Sequence, residues 1–162
     1  MGARIVVRKA TRQDIPAIVR LGEELLDFHK DRDPFFTRAA NSSNVFAQFV
    51  EANICSEAAC VYVAVVNGKI VGYCQGMLEK HPPVLVETDY GHILDMMVTA
   101  NFRRTGAGEK MVSALRDWFL LKGVHRIEVR RLISNEIASR FWAKMGFEPY
   151  LETLFLTYEK RK

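Results

Sequence analysis

Val98-Thr99-Ala100-Asn101-Phe102-Arg103-Arg104-Thr105-Gly106-Ala107-Gly108-Glu109-Lys110-Met111 joins an apolar run, Tyr90 to Val98, to a segment in which Met111, Val112, Leu115, Trp118 and Phe119 recur at helical spacing. Two glycines let the backbone turn tightly between strand and helix. They expose several N–H groups at a helix N-terminus, with Arg103 and Arg104 beside them, an arrangement suited to an anion such as a pyrophosphate. The spacing is not that of a P-loop, and the third glycine of the dinucleotide fingerprint is absent. Taken alone, the stretch reads equally as a glycine-rich connection with solvated arginines.

Upstream, the mixed apolar content of residues 90–98 predicts a strand buried on both faces. Val61 to Val66 and Ile70 to Met77 flank Asn67-Gly68, a dipeptide that supplies positive φ to a type I′ turn, so they predict a hairpin. His81-Pro82-Pro83 closes it as a loop. Nearer the N-terminus, Ile5-Val6-Val7 is a short β-branched run. Apolar residues at Ile15, Ile18, Val19, Leu25 and Leu26 then mark a helix capped at Thr11 with Asp14 three positions on, ending near Asp33-Pro34. Asn41-Ser42-Ser43-Asn44 starts a second helix carrying Val45, Phe46, Phe49 and Val50; with no secretion signal its sequon is read as that cap. Downstream, Lys122-Gly123 ends the third helix and Arg126 to Arg130 alternates as a strand. A short helix runs from about Glu136 to Met145, and Tyr150 to Tyr158 predicts a last strand. The order specifies one mixed α/β domain, residues 1–162, with a single sheet covered by helices.

The 162-residue chain is 49% hydrophobic with a formal charge of +4, enough to bury a full core and too little charge to require nucleic acid. Cys55, Cys60 and Cys74 form no metal-ligand spacing, so no metal is expected. No signal peptide or membrane span is evident, which predicts a cytoplasmic protein with free thiols and no membrane partner. The basic Lys160-Arg161-Lys162 tail is the one local motive for an RNA-binding alternative.

Arg103-x-x-Gly106-x-Gly108 resembles the pyrophosphate motif of the GCN5-related N-acetyltransferases (GNAT). Asn135-x-x-Ala138-x-x-Phe141-Trp142-x-x-x-Gly146-Phe147 is similar to that family's second signature, and the element order also fits. The resemblance covers nearly the whole chain. It implies a fold whose two central parallel strands splay, leaving backbone groups of Met96, Met97 and Val98 to pair with the pantetheine of acetyl-CoA. It also implies that Arg103, Arg104, Thr105, Gly106, Ala107, Gly108 and Glu109 hold the pyrophosphate. Asn135 would bond the cofactor arm, although an asparagine before a helix is also a cap.

The implied activity is acetyl transfer from acetyl-CoA to a primary amine by direct attack in a ternary complex. His92 occupies the position of the family's strand-borne base, and Asp95 matches the second acid of a Glu-Asp pair in its polyamine acetyltransferases. A structural histidine and a locally satisfied carboxylate are the respective alternatives. Trp142 stands where the family has its tyrosine acid, and an indole cannot protonate a thiolate; this motivates a second reading, a non-catalytic acyl-CoA sensor or subunit. Tyr150 is expected to be a packed aromatic on the last strand.

Residues 23–33 carry Glu23, Glu24, Asp27, Asp31 and Asp33 against Lys30 and Arg32, a net of −3. Such a strip could attract an amine acceptor, a small molecule or a protein amine, with His29, Asp33 and Phe35 as candidate substrate contacts. Residues 101–144 hold ten Lys and Arg against four Asp and Glu, net +6, on the half assigned to the polyanionic cofactor. The resemblance also implies a homodimer in which the last strand exchanges or pairs.

Overall fold

The computed structural model describes residues 4–158. Residues 1–3 and the Lys160-Arg161-Lys162 tail lie outside them. Strands β1 (Ile5–Lys9), β2 (Ala59–Val66), β3 (Lys69–Lys80), β4 (Asp89–Val98) and β5 (Ile127–Val129) form one sheet in the order β1-β2-β3-β4-β5. The first three pairings are antiparallel and β4 runs parallel to β5. Helices α1 (Ile15–Lys30) and α2 (Ser42–Cys55) come between β1 and β2, α3 (Ala107–Leu121) between β4 and β5, and α4 (Glu136–Lys144) after β5. The mixed α/β architecture read from the sequence is the one observed.

Local chemistry explains where the elements begin and turn. The Asp14 carboxylate accepts from the Thr11 amide at 2.7 Å and from its hydroxyl at 3.0 Å, opening α1. Asn67 and Gly68 adopt φ of 49° and 77°, the left-handed pair that the hairpin requires. Each face of the sheet then buries its own apolar cluster. Ile18, Leu21 and Val50 of α1 and α2 pack on Val61, Val63, Tyr73 and Met97. On the other face Met111, Leu115 and Phe119 of α3, with Trp142 of α4, pack on Cys74 and Ile93. Phe119 fits only because Gly76 and Gly91 lie beneath it: a Cβ on Gly91 would fall 2.5 Å from its ring.

One expectation fails. Residues 150–158 form no strand, and Tyr150, Leu151, Leu154, Phe155, Leu156 and Tyr158 are all exposed. β-prone residues become a strand only beside an edge that accepts their hydrogen bonds. Here the sheet ends at the three residues of β5, and the segment does not pair with it as a strand. Tyr150 is accordingly not packed on a last strand. Its hydroxyl donates to Glu128 Oε1 at 3.1 Å, and the Arg126 guanidinium lies 4.6 Å from its ring centre.

Candidate active site

Strand β4 organises the site. Its pairing with β5 covers only Gly91, His92 and Ile93, whereas pairing with β3 continues to Val98 opposite Gly72. From Leu94 onward the edge that faced β5 pairs with no strand among the described residues, and Met96, Met97 and Val98 lie along it. The Val98 carbonyl accepts from Arg103 Nε at 3.1 Å. Gln75 faces Asp95 while the next β3 residue, Gly76, faces Ile93, so Leu94 is an extra residue, a β-bulge. In a regular strand His92 and Asp95, three apart, would point to opposite faces. The bulge brings both to the face that also holds Tyr73, Gln75, Met77 and Glu79.

The loop beyond β4 leaves several backbone amides outside the helical ladder. Arg104 and Gly106 have positive φ, 62° and 90°, and α3 begins immediately afterwards. The first helical bond runs from Lys110 N to Gly106 O at 3.0 Å, so the amides of Ala107, Gly108 and Glu109 precede the ladder and no side chain at Gly106 caps them. A Cβ built on Gly106 meets nothing within 4 Å, so the loop borders open space. Thr105 Oγ1 is turned inward, donating to the Phe102 carbonyl at 2.6 Å. Gly108 has a packing role beside it: a Cβ there would stand 3.1 Å from the Phe141 ring, which brings α4 against α3. The Glu109 side chain pairs with Lys144 of α4. Asn135 is buried, and its side-chain oxygen accepts from the Ala138 amide at 3.1 Å, capping α4.

Two carboxylate networks occupy the shared face. Asp95 Oδ2 accepts from Tyr73 Oη at 3.1 Å and from Gln75 Nε2 at 3.0 Å, and Gln75 Oε1 in turn accepts from Asn53 Nδ2 at 2.9 Å. Its other oxygen, Oδ1, is buried without a partner. Burial pushes the Asp95 carboxyl up to about 6, outweighing the Gln75 and Tyr73 bonds that pull it down. The second network surrounds His92, which is 8% exposed. His92 Nδ1 lies 2.8 Å from Glu79 Oε1, and Tyr90 donates to Glu79 Oε2. Burial opposes ionisation of Glu79, but the Tyr90 and His92 bonds prevail and hold its carboxyl below the ordinary value. His81 stacks on Tyr90 with centroids 4.1 Å apart, and its Nε2 lies 2.9 Å from Glu128 Oε1.

The α1–α2 connection has a more local character than the charge count suggests. Asp33 caps the short 3-10 turn Pro34–Phe36, accepting from Phe35 N at 3.0 Å. His29 sits between the rings of Phe28 and Phe36, and burial together with the Arg32 charge keeps its pKa below the usual imidazole value. Phe35 is exposed against the edge of Phe36. Arg38 binds both Glu23, at 3.1 Å, and Asp27, at 3.0 Å, so two acids of the strip are neutralised within the chain. Among the described residues no hydrogen bond or ring contact joins His29, Asp33 or Phe35 to His92 or Asp95. Trp142 is buried between Phe141 and Phe147.

Glu79, Tyr90, His81, Glu128, Tyr73, Gln75 and Asn53 were not singled out from the sequence. A signal existed in β3, where Gln75 and Glu79 interrupt an apolar run at even spacing from Tyr73 and so mark one polar face.

Known proteins share the sequence pattern and the fold. The pattern of the Acetyltransferase (GNAT) family matches residues 25–147. An N-alpha-acetyltransferase of Sulfolobus acidocaldarius is 28% identical over 151 residues, 87% of this chain and 78% of that protein. Two other N-acetyltransferase relatives, from Methanocaldococcus jannaschii and Sulfurisphaera tokodaii, are matched over only 52% and 57% of their own length. The crystal structure of a tetramutant Bacillus halodurans protein superposes with a TM-score of 0.85 at 25% identity, covering 94% of this chain and 99% of that one. An aminoglycoside N-acetyltransferase in complex with CoA shares the fold, with a TM-score of 0.77 at 16% identity over 99% of this chain and 97% of that one. A family match over most of the sheet and both signature segments places the chain in the acetyltransferase (GNAT) family.

Proposed function

We propose that the chain transfers an acetyl group from acetyl-CoA to a primary amine by direct attack within a ternary complex. The observation that carries the proposal is the adjacency of two features: the unpaired β4 edge from Leu94 to Val98 and the uncapped N-terminus of α3. An extended amide-bearing arm fits the first and an anion fits the second. Backbone groups of Met96, Met97 and Val98 would hold the pantetheine. Amides from Arg104 through Glu109 would hold the pyrophosphate with Arg103 beside them, and Asn135 would add a bond while capping α4. The CoA complex of the aminoglycoside enzyme and the activity named for the Sulfolobus relative support this reading. When bound, acetyl-CoA supplies an acyl group already activated as a thioester.

The chain's own part is positioning and proton handling. His92 takes the proton that the attacking amine must lose, and Asp95, on the same face, is the second titratable group. Glu79, Glu128 and Asp95 make that face acidic and suited to a cationic acceptor, with His29, Asp33 and Phe35 on the flanking connection. Buried Trp142 offers no acidic proton, so water protonates the leaving thiolate. A cytoplasmic homodimer belongs to the same reading, since the six large apolar side chains exposed between Tyr150 and Tyr158 suit burial against a second copy.

The test is an amine-panel acetylation assay with detection of released thiol, together with calorimetric titration of coenzyme A. Gly106→Ala carries only the strain of a side chain at φ +90°. Gly106→Asp adds a carboxylate, which should weaken binding by a further ~10- to 100-fold at the separations of such a loop. Equal affinity of the two variants would remove the anion site. Tight binding with no acetylation of any amine would favour the sensor reading that the burial of Trp142 recommends.

A further inference from the structure

We infer that Glu79 is a positioning residue: it fixes His92 as the Nδ1–H tautomer and leaves Nε2 as the basic nitrogen of the site. The consequence for catalysis rests on the acetyl-transfer reading, whereas the tautomer itself does not. Glu79 lies opposite Tyr90 in the β3–β4 register and on the same face as His92. Both of its oxygens are committed, Oε1 to His92 Nδ1 at 2.8 Å and Oε2 to the Tyr90 hydroxyl. An ionised carboxylate can only accept, so the proton between Glu79 and His92 resides on Nδ1. The Tyr90 and His92 bonds keep Glu79 ionised despite its burial. Among the described residues the one enclosed side-chain nitrogen or oxygen without a partner is Asp95 Oδ1, and the second ring nitrogen of His92, Nε2, is neither that atom nor hydrogen-bonded. It therefore reaches accessible space.

Further contacts surround the pair. Tyr90 is braced by the stacked His81, whose partner Glu128 also accepts from Arg126 Nε at 2.6 Å and from Tyr150 Oη at 3.1 Å. Glu128 lies directly across from His92 on β5. The charged and titratable groups around His92 are thus Glu79 on β3, Tyr90 and Asp95 on β4, Glu128 on β5 with Arg126 and Arg130 at its ends, and His81 from the loop. In acetyl transfer the amine nitrogen forms its bond to the acyl carbon as the carbon–sulfur bond breaks. The amine proton passes to Nε2 and on to solvent, and the thiolate takes a proton from water. Glu79 stabilises the imidazolium that forms in between.

Long-range ¹H–¹⁵N spectra of the histidine rings, recorded on unliganded protein with neutral imidazoles, test this directly. The wild type is expected to show His92 with protonated Nδ1 and bare Nε2. Glu79→Gln, which can donate as well as accept, is expected to give a mixture of tautomers. The same variant should lower kcat by ~10- to 100-fold with the KM for acetyl-CoA unchanged. Tyr90→Phe, which frees only Oε2, should keep the wild-type tautomer. An Nε2–H tautomer in the wild type, or its wild-type pattern surviving in Glu79→Gln, overturns the proposal. Loss of the pattern in Tyr90→Phe also overturns it, because packing would then be the cause. The spectra require no turnover, so a failure of acetyl transfer is seen separately from a failure of this assignment.

Discussion

The stability of Asp95→Asn against urea, measured relative to wild type, should rise with pH. Burial raises the enclosed Asp95 carboxyl from an ordinary value of 3.8 to about 6 in the folded protein. A carboxyl whose folded pKa is raised favours the folded state only while protonated. Below pH 3.8 folded and unfolded chains both carry the proton and nothing is lost. As pH climbs from there through 6, wild-type stability falls by about 1.4 kcal/mol per pH unit and then levels off, a full loss of about 3 kcal/mol. Asparagine keeps an acceptor for Tyr73 and Gln75 and cannot ionise. Its amide facing the place of Oδ1 adds an offset that is the same at every pH. The stability difference between variant and wild type should therefore grow by about 2.5 kcal/mol between about pH 4 and pH 7.5, a relative midpoint shift of about 1 M urea or more. Urea unfolding curves of both proteins at the two pH values measure it. An offset that does not change with pH would mean that Asp95 stays ionised in the fold, and the account of its burial would be wrong.

Two further expectations concern the scaffold. Gly91→Ala puts a methyl into the Phe119 ring and should cost about 1–3 kcal/mol. Combining it with Phe119→Leu should recover part of that, and strictly additive losses in a double-mutant cycle would argue against the contact. Arg8, forked onto Asp14 at 2.7 and 2.9 Å, is the first cause of that carboxyl's fall to about 2. This contribution is present above pH 3.8 and is lost as pH drops through about 2. Arg8→Ala should cost about 1–3 kcal/mol near neutrality and much less near pH 2.5, and an equal penalty at both would refute the pairing.

Features set by neighbouring residues were legible in the chain itself. Asn67-Gly68 needs only its own positive φ to make a hairpin, and Asn135 caps the helix that follows it within three residues. The Gly106 turn into α3 is equally local. What depends on a distant partner was not legible. Residues 150–158 carry strand-forming side chains, yet no paired edge receives them. The acidic strip on α1 is partly consumed by Arg38, 11 residues beyond Asp27. The candidate site falls between these cases. His92 and Asp95 stand out by residue type, while their common face and the Glu79 partner follow from a register that no local pattern encodes.

The extra residue at Leu94 can be considered as a change of phase. It splices two half-strands that are out of step by one side chain, so the rule for which residues point inward reverses between Ile93 and Asp95. The first half buries its odd-numbered glycine and isoleucine beneath Phe119 and sends its histidine to the other side; in the second half the odd-numbered aspartate and methionine take that other side. Deleting Leu94 would bring the halves back into step and turn either His92 or Asp95 into the apolar layer under α3. One peptide unit with no reactive group of its own thereby decides whether two proton-carrying side chains work in the same compartment.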